Sequence, residues 1–190
     1  MEFDLQTRLQ WLDTNHIQYG QNVTVVEPSA EGEAEVCITA DNALLLVKTT
    51  EKNALGYLRQ KKVADGTVCE FLSNTSVNLH LIECKRTVKA GNWEHVKEQF
   101  QGALLNAFAV CGLLSVNDIR EVRLYTAYRY DRLSAENSAN PTLMKMQVGS
   151  RQPAMAQDWQ DGAVRVLNHL CTHQKILLDT DGKAALSLSV

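Results

Sequence analysis

The chain has 190 residues, 45% of them hydrophobic and 22% charged, and a formal net charge of −3. This length supports one domain with a sizeable core, and the acidic balance excludes binding to nucleic acid by bulk charge, though not through a local basic groove. No apolar run approaches the roughly 20 residues of a membrane span. The start, Met1-Glu2-Phe3-Asp4, shows no signal core. The cysteines Cys37, Cys69, Cys84, Cys111 and Cys171 are odd in number and lack C-x-x-C spacing, so reduced thiols in a cytoplasmic protein are expected rather than a disulfide framework or zinc site.

Leu5, Leu9 and Leu12 predict an amphipathic helix over 4–15 with Asp4 as its cap. Val23–Val26 is a β-branched run stopped by Pro28, and Ser29–Glu35 reads as an acidic loop. Val36–Thr39 and Ala43–Lys48 predict a hairpin around Ala40-Asp41-Asn42. Thr50 could cap a short helix over 51–61, which leads into the basic stretch Arg59-Gln60-Lys61-Lys62, and Asp65-Gly66 marks a turn. Two strands follow, Thr67–Leu72 and Val77–Lys85, joined by the turn-forming cluster Ser73–Ser76. The clearest helix spans 93–114, with Trp93, Val96, Phe100, Leu104 and Phe108 on one face and Asn92 as N-cap. Ile119–Tyr128 predicts a strand, Arg129–Thr142 a long polar loop, Met155–Leu170 a helix, and Lys175–Val190 a terminal hairpin around Asp181-Gly182. There is no repeat, low-complexity tract or linker, so 1–190 reads as a single domain. The order strand, strand, long helix, strand implies an α/β fold whose sheet is covered by helices.

Side chains alternate along a strand, so Val77, Leu79, Leu81, Glu83 and Lys85 share one face. A carboxylate at the end of an apolar face needs compensation. Lys85 supplies one, and a divalent cation would supply a stronger one. Glu70 lies in a second apolar run, Val68–Leu72, and a hairpin would bring it towards Glu83. Paired carboxylates need a proton or cation between them, and hard oxygen ligands suit Mg²⁺ or Mn²⁺.

An acid, a turn, E-x-K at the end of an apolar strand and then a long helix resembles the PD-(D/E)XK nuclease superfamily. The matching residues are Glu70, Glu83-Cys84-Lys85 and the helix Trp93–Leu114, within a region of about 40–130. The resemblance implies a restriction-endonuclease-like core, with a mixed central sheet flanked by helices and extensions at both ends. It implies Glu70 and Glu83 as metal-binding acids, the backbone carbonyl of Cys84 as a further ligand, and Lys85 as the group that orients or deprotonates the attacking water. Gln99, with Gln101 second, would be the glutamine that many members carry on the following helix, and Glu51 an additional acid. The implied activity is Mg²⁺- or Mn²⁺-dependent hydrolysis of phosphodiester bonds in nucleic acid, DNA before RNA. Arg86, Lys89, Arg59, Lys61 and Lys62 are available for phosphates. Glu70 stands where the pattern usually has Asp, and Cys69 rather than Pro precedes it.

Two other readings stand beside this one. The acidic net charge and the Glu-for-Asp change also fit a nuclease fold without activity, working as a regulatory, immunity-like or protein-binding module or as a homodimer. Glu83 and Lys85 could also be an ordinary strand pair at a solvated edge, worth well under ~1 kcal/mol. His80 and Cys84 share the strand face away from Glu83; His169 and His173 lack an H-E-x-x-H context, and no G-x-G-x-x-G or P-loop occurs.

Overall fold

The computed structural model describes residues 4–30, 33–50, 52, 55–134 and 152–188. In chain order the elements are α1 (Leu5–Leu9), β1 (Ile17–Glu27), β2 (Ala34–Val47), β3 (Gly66–Phe71), β4 (Ser76–Val88), α2 (Ala90–Leu113), β5 (Asp118–Asp131), α3 (Gln152–Asp161), β6 (Ala163–Val166), β7 (His169–Leu177) and β8 (Lys183–Ser187). The sheet order is β1-β2-β3-β4-β5-β7-β6, with β8 beside β2. β1 to β4 form an antiparallel meander, whereas β4, β5 and β7 run parallel. This is the α/β arrangement with a mixed sheet that the sequence predicts, and α2 is the crossover that parallel neighbours such as β4 and β5 require.

The alternation along β4 separates two cores. Val77, Leu79 and Leu81 face α2 and pack with Trp93, Val96, Phe100 and Leu104. Ile82 and Cys84 point the other way, towards Val23, Val25, Val36 and Ile38. Each large side chain so buried contributes roughly 1.5–3 kcal/mol. Arg8 ties α1 to this frame by donating to the Leu114 carbonyl at 2.8 Å, where the negative end of α2 favours a cation.

Several local expectations change. The first helix stops at Leu9, although Asp4 does cap it by accepting from Thr7 N–H at 2.8 Å. Val23–Val26 belongs to a longer strand, β1. Ala40-Asp41-Asn42 is not a hairpin turn, because β2 runs straight through it and changes partners there. Residues 35–39 pair with β8, and 43–47 pair with β3. The Lys89 N–H is capped by Asn92 Oδ1 at 2.9 Å, which moves the helix start to Ala90 and makes Asn92 an N3 residue. The helix expected over 155–170 ends at Asp161, and Val164 and Val166 bury alternate positions of a strand instead. The turn near Asp181-Gly182 exists, with Asp179 N–H donating to Lys183 O at 3.0 Å. Its flanks do not pair with each other, since β7 joins β5 and β6 while β8 joins β2. The loop expected over 129–142 lies outside the described residues from 135 onward. No helix among the described residues is long and apolar enough to cross a membrane, and all five cysteines are free.

Candidate active site

Glu83 sits on the α2-facing side of β4, fully buried, with its Oε1 paired to the Lys85 ammonium. Its Oε2 is buried without a hydrogen-bond partner. Burial pushes the Glu83 carboxyl up to about 7, against the opposing pull of Lys85 and then of Gln99. Burial alone would lower Lys85, but its pKa is raised because Glu83 and Asp65 hold the positive charge in place.

The acid opposite Glu83 is Asp65. The β3–β4 register sets Gly66 against Ile82, so one more step brings Asp65 level with Glu83. Asp65 Oδ2 accepts from the Cys84 backbone N–H at 2.7 Å. Its depth in the fold raises the Asp65 carboxyl to about 9, helped by the charges of Glu83 and Glu27. Glu27, at the end of β1, accepts from Ser29 N–H at 2.7 Å and is hydrogen-bonded to Asp65. The three carboxylates come from β1, the start of β3 and β4. Glu27 and Asp65 line a cleft of about 330 Å³ together with Lys48, Thr49, Thr50 and Gln99, while Glu83 lies fully buried behind them.

Residues 55–62 form no helix and run along α2 as a strap that ends at the cleft-lining Val63. Leu55 N–H reaches Asn106 Oδ1 at 3.4 Å, Gln60 Nε2 donates to Glu98 O at 3.2 Å, and Lys62 pairs with Glu98 at 2.5 Å. Gly102 makes the contact possible: a Cβ there would lie 1.8 Å from the Lys62 carbonyl oxygen. The strap delivers Val63, Ala64 and Asp65 to the site. Gln99 Nε2 bonds the Val63 carbonyl at 3.5 Å, while Gln99 Oε1 is buried without a partner.

The structure therefore brings Glu83, Lys85 and Gln99 together and leaves Glu70 out. Glu70 is level with Asn78, five residues from Glu83 along β4, or about 17 Å at the usual rise. It also points to the opposite face of the sheet, because its partners Asn78 and His80 alternate with Glu83. There it accepts from Asn42 at 2.8 Å and Asn78 at 2.9 Å, and meets His80 Nε2 at 3.2 Å. His80 Nδ1 lies 3.1 Å from Tyr125 Oη, which completes a buried polar network. Burial would raise the Glu70 pKa, but these bonds leave it lowered. Glu70 is thus structural. Glu70→Gln leaves one amide donor unsatisfied and is expected to cost about 1–3 kcal/mol, with no effect on any response to Mn²⁺. A urea melt with and without Mn²⁺ checks both halves, and loss of the Mn²⁺ response would return Glu70 to the site.

The remaining candidates separate in the same way. The Cys84 side chain is buried in the second core and its backbone N–H binds Asp65, so Cys84 borders the site through its main chain. Glu51 lies outside the described residues. Arg86 alternates to the face away from Glu83, and Lys89 is exposed just before α2. His173 is buried against Trp93 and Trp159 and meets Thr126 Oγ1 at 2.9 Å. Asp65 and Glu27 were missed because Asp65-Gly66 reads as a turn and Glu27 as a strand end. Hairpin register carried the missing signal for Asp65; nothing in the sequence pairs Glu27 with it.

Among the described residues, no group of three or more His, Cys, Asp or Glu side chains is already arranged to hold a metal ion. Asp65 is hydrogen-bonded to Glu27 and Glu83 is paired with the Lys85 ammonium. In comparison with known proteins, no family model, curated protein or solved structure matches the chain.

Proposed function

We propose that the chain is a metal-dependent nuclease of the PD-(D/E)XK type with a restriction-endonuclease-like core, hydrolysing phosphodiester bonds in DNA. The observation that carries this reading is the clustering of Glu83, Asp65 and Glu27 around Lys85 and the Cys84 main chain, with Glu27 and Asp65 on the wall of a cleft. Asp65 supplies the residue type that the resemblance calls for and that Glu70 lacks. The donor set is all oxygen, and Glu83 Oε2 is buried without a partner; both properties fit Mg²⁺ or Mn²⁺.

Asp65 and Glu83 would hold the ion, with Glu27 beside Asp65 and the Cys84 main chain at the border. When bound, Mg²⁺ lowers the pKa of a water and neutralises charge on the phosphate. Glu83 would offer its unpartnered Oε2 as a ligand. Lys85 would orient the attacking water and donate to the phosphate oxygen. The unpartnered Gln99 Oε1 would be available to the same water. The five free thiols fit a cytoplasmic setting.

Lys85→Ala is expected to lower cleavage of plasmid or single-stranded DNA by about 10²–10⁴-fold. The rise in melting temperature with Mn²⁺ should persist or grow, because the ammonium no longer competes for Glu83. Cleavage at the unmodified rate in this variant would sink the assignment. A second reading has one observation in its favour: the Glu83–Lys85 pair closes the site on itself. That favours an inactive fold that binds a protein partner, and absence of any Mn²⁺ response or cleavage by the unmodified protein would select it.

A further inference from the structure

Pairing between β5 and β7 begins only at Arg123 and Thr172. Upstream of that point the two strands part. Among the described residues, 118–122 have β4 as their one partner strand and 169–171 have β6. The parting coincides with a bulge: Ile119 is level with Val77 and Glu121 with Asn78, which leaves Arg120 as an extra residue. A bulge bends the strand that carries it. Between the parted strands lies a groove of about 450 Å³, lined by Ile119–Val122 on one side, His169–Thr172 on the other, and Phe108 of α2. Ile119 and Val122 are level with Val77 and Leu79, so they face α2, where the Phe108 ring stands edge-on to His169 at 6.2 Å. Leu170 lines the groove as well and is 67% exposed.

We propose that this groove is a docking site for an extended peptide of a partner protein, which adds as a strand between β5 and β7. The two strand edges select this occupant. An edge without a neighbour presents a row of N–H and C=O groups, and another extended chain is what pairs with such a row. An α-helix bonds its backbone internally and would leave both edges as they are. Size agrees. A residue in a sheet takes up about 160 Å³, from the strand spacing, the sheet spacing and the rise, so a groove of about 450 Å³ holds about three residues of the incoming strand. Charge points away from nucleic acid here. Arg120 pairs with Asp118 at 2.6 Å and Arg123 with Glu121 at 2.7 Å, so these arginines are already neutralised. Side chains of the incoming strand alternate between faces. Those at i and i+2 meet Phe108, Ile119 and Val122 and are apolar, while the one between them lies on the Glu121 side. Glu121 is five residues along β5 from Thr126, which is level with Glu83, or about 17 Å at the usual rise. The groove is therefore separate from the candidate active site, and the inference stands whether or not the chain cleaves DNA.

The test is selection of phage-displayed random dodecapeptides on the immobilised full chain, followed by fluorescence anisotropy with a fluorescein-labelled synthetic copy of the enriched sequence. Enriched peptides should share apolar residues at i and i+2 with no proline between them, since proline cannot donate to a ladder. Leu170→Glu should weaken binding of the synthetic peptide at least about tenfold, the lower end for one buried leucine. This variant keeps the fold, because Leu170 is already exposed and its cross-strand neighbour is Arg165. N-methylation of a central amide of the peptide should abolish binding, because an inserted strand pairs its N–H groups with one neighbour or the other. Amide hydrogen exchange at Ile119–Val122 and His169–Cys171 should slow when the peptide binds. The absence of any enriched sequence, equal binding by Leu170→Glu, equal binding of the N-methylated peptide, or slowing confined to other strands would each overturn the proposal.

Discussion

Glu83→Gln is expected to abolish both DNA cleavage and the rise in melting temperature that Mn²⁺ produces in the unmodified protein. The substitution keeps the shape of the side chain and removes the charge that a cation needs at the buried end of β4. Mn²⁺ at a hundred times its dissociation constant would add about 2.7 kcal/mol to stability, which for a chain of this size is a shift of about 5–10 °C. The readout is the difference with and without Mn²⁺, so a change in the baseline stability of the variant does not confuse it. That baseline should move as well, because Lys85 loses the partner that holds its charge. A shift of equal size in the variant and the unmodified protein would remove Glu83 from the ligand set and take the nuclease reading with it.

Gly102→Ala is expected to destabilise the protein, against the sign that helix propensity alone requires. In the interior of α2, alanine is favoured over glycine by about 1 kcal/mol. At Gly102 the new methyl group would meet the Lys62 carbonyl at 1.8 Å. The obstacle is backbone of the strap rather than the end of a flexible side chain, and overpacking of this kind costs about 1–3 kcal/mol or more. The clash wins, by up to about 2 kcal/mol if the strap moves only part of the way. The helix supplies its own control, because a Cβ at Gly112 meets nothing within 4 Å. Gly112→Ala should therefore gain up to about 1 kcal/mol. Denaturant melts of the two variants are decisive, and two stabilised proteins would show that the strap is not tightly seated. Since Asp65 is the last residue the strap delivers, Gly102→Ala should also weaken the Mn²⁺ shift, while Gly112→Ala should leave it intact.

The centre of the molecule was legible because its signals are local and strong. The alternation of Val77, Leu79 and Leu81, and the 3.6-residue spacing of Trp93, Val96 and Phe100, each name one face, and both faces enter the same core. Glu83 and Lys85 followed from the same alternation. Glu70 was drawn into the site by its apolar neighbourhood, although such a neighbourhood marks equally well a buried network of Asn42, Asn78, His80 and Tyr125. The turn after Phe71 already implied that the partner of Glu83 lies near residue 65, since antiparallel register advances one residue on each strand. Glu27 could not be placed from sequence, because it stands at the end of β1, whose partner β2 reads as a hairpin and not as one continuous strand. Asp41 and Asn42 have turn-like composition, yet the Asp41 carbonyl accepts from Gln21 and the Asn42 amide serves Glu70. The strand at 163–166 failed for the opposite reason, since Trp159, Ala163, Val166 and Leu170 sit at a spacing that a helix would share.

The pairing of β8 with β2 has a consequence for how the chain leaves the ribosome. Residues 35–39 emerge early and wait for residues 183–187, so the second core stays open at one side until synthesis of this region is almost complete. During that interval Val36 and Ile38, fully buried in the finished fold, belong to an unpaired strand edge of the sort that recruits other chains. The first core starts sooner, because β3, β4 and α2 are contiguous, although Trp159, Val164, Val166 and Cys171 join it late. Folding should therefore proceed in two stages, a rapid collapse around α2 and a slower closure limited by contacts of high sequence separation. The carboxylates of the site divide between them: Asp65 and Glu83 meet in the first stage, and Glu27 arrives with β1 in the second.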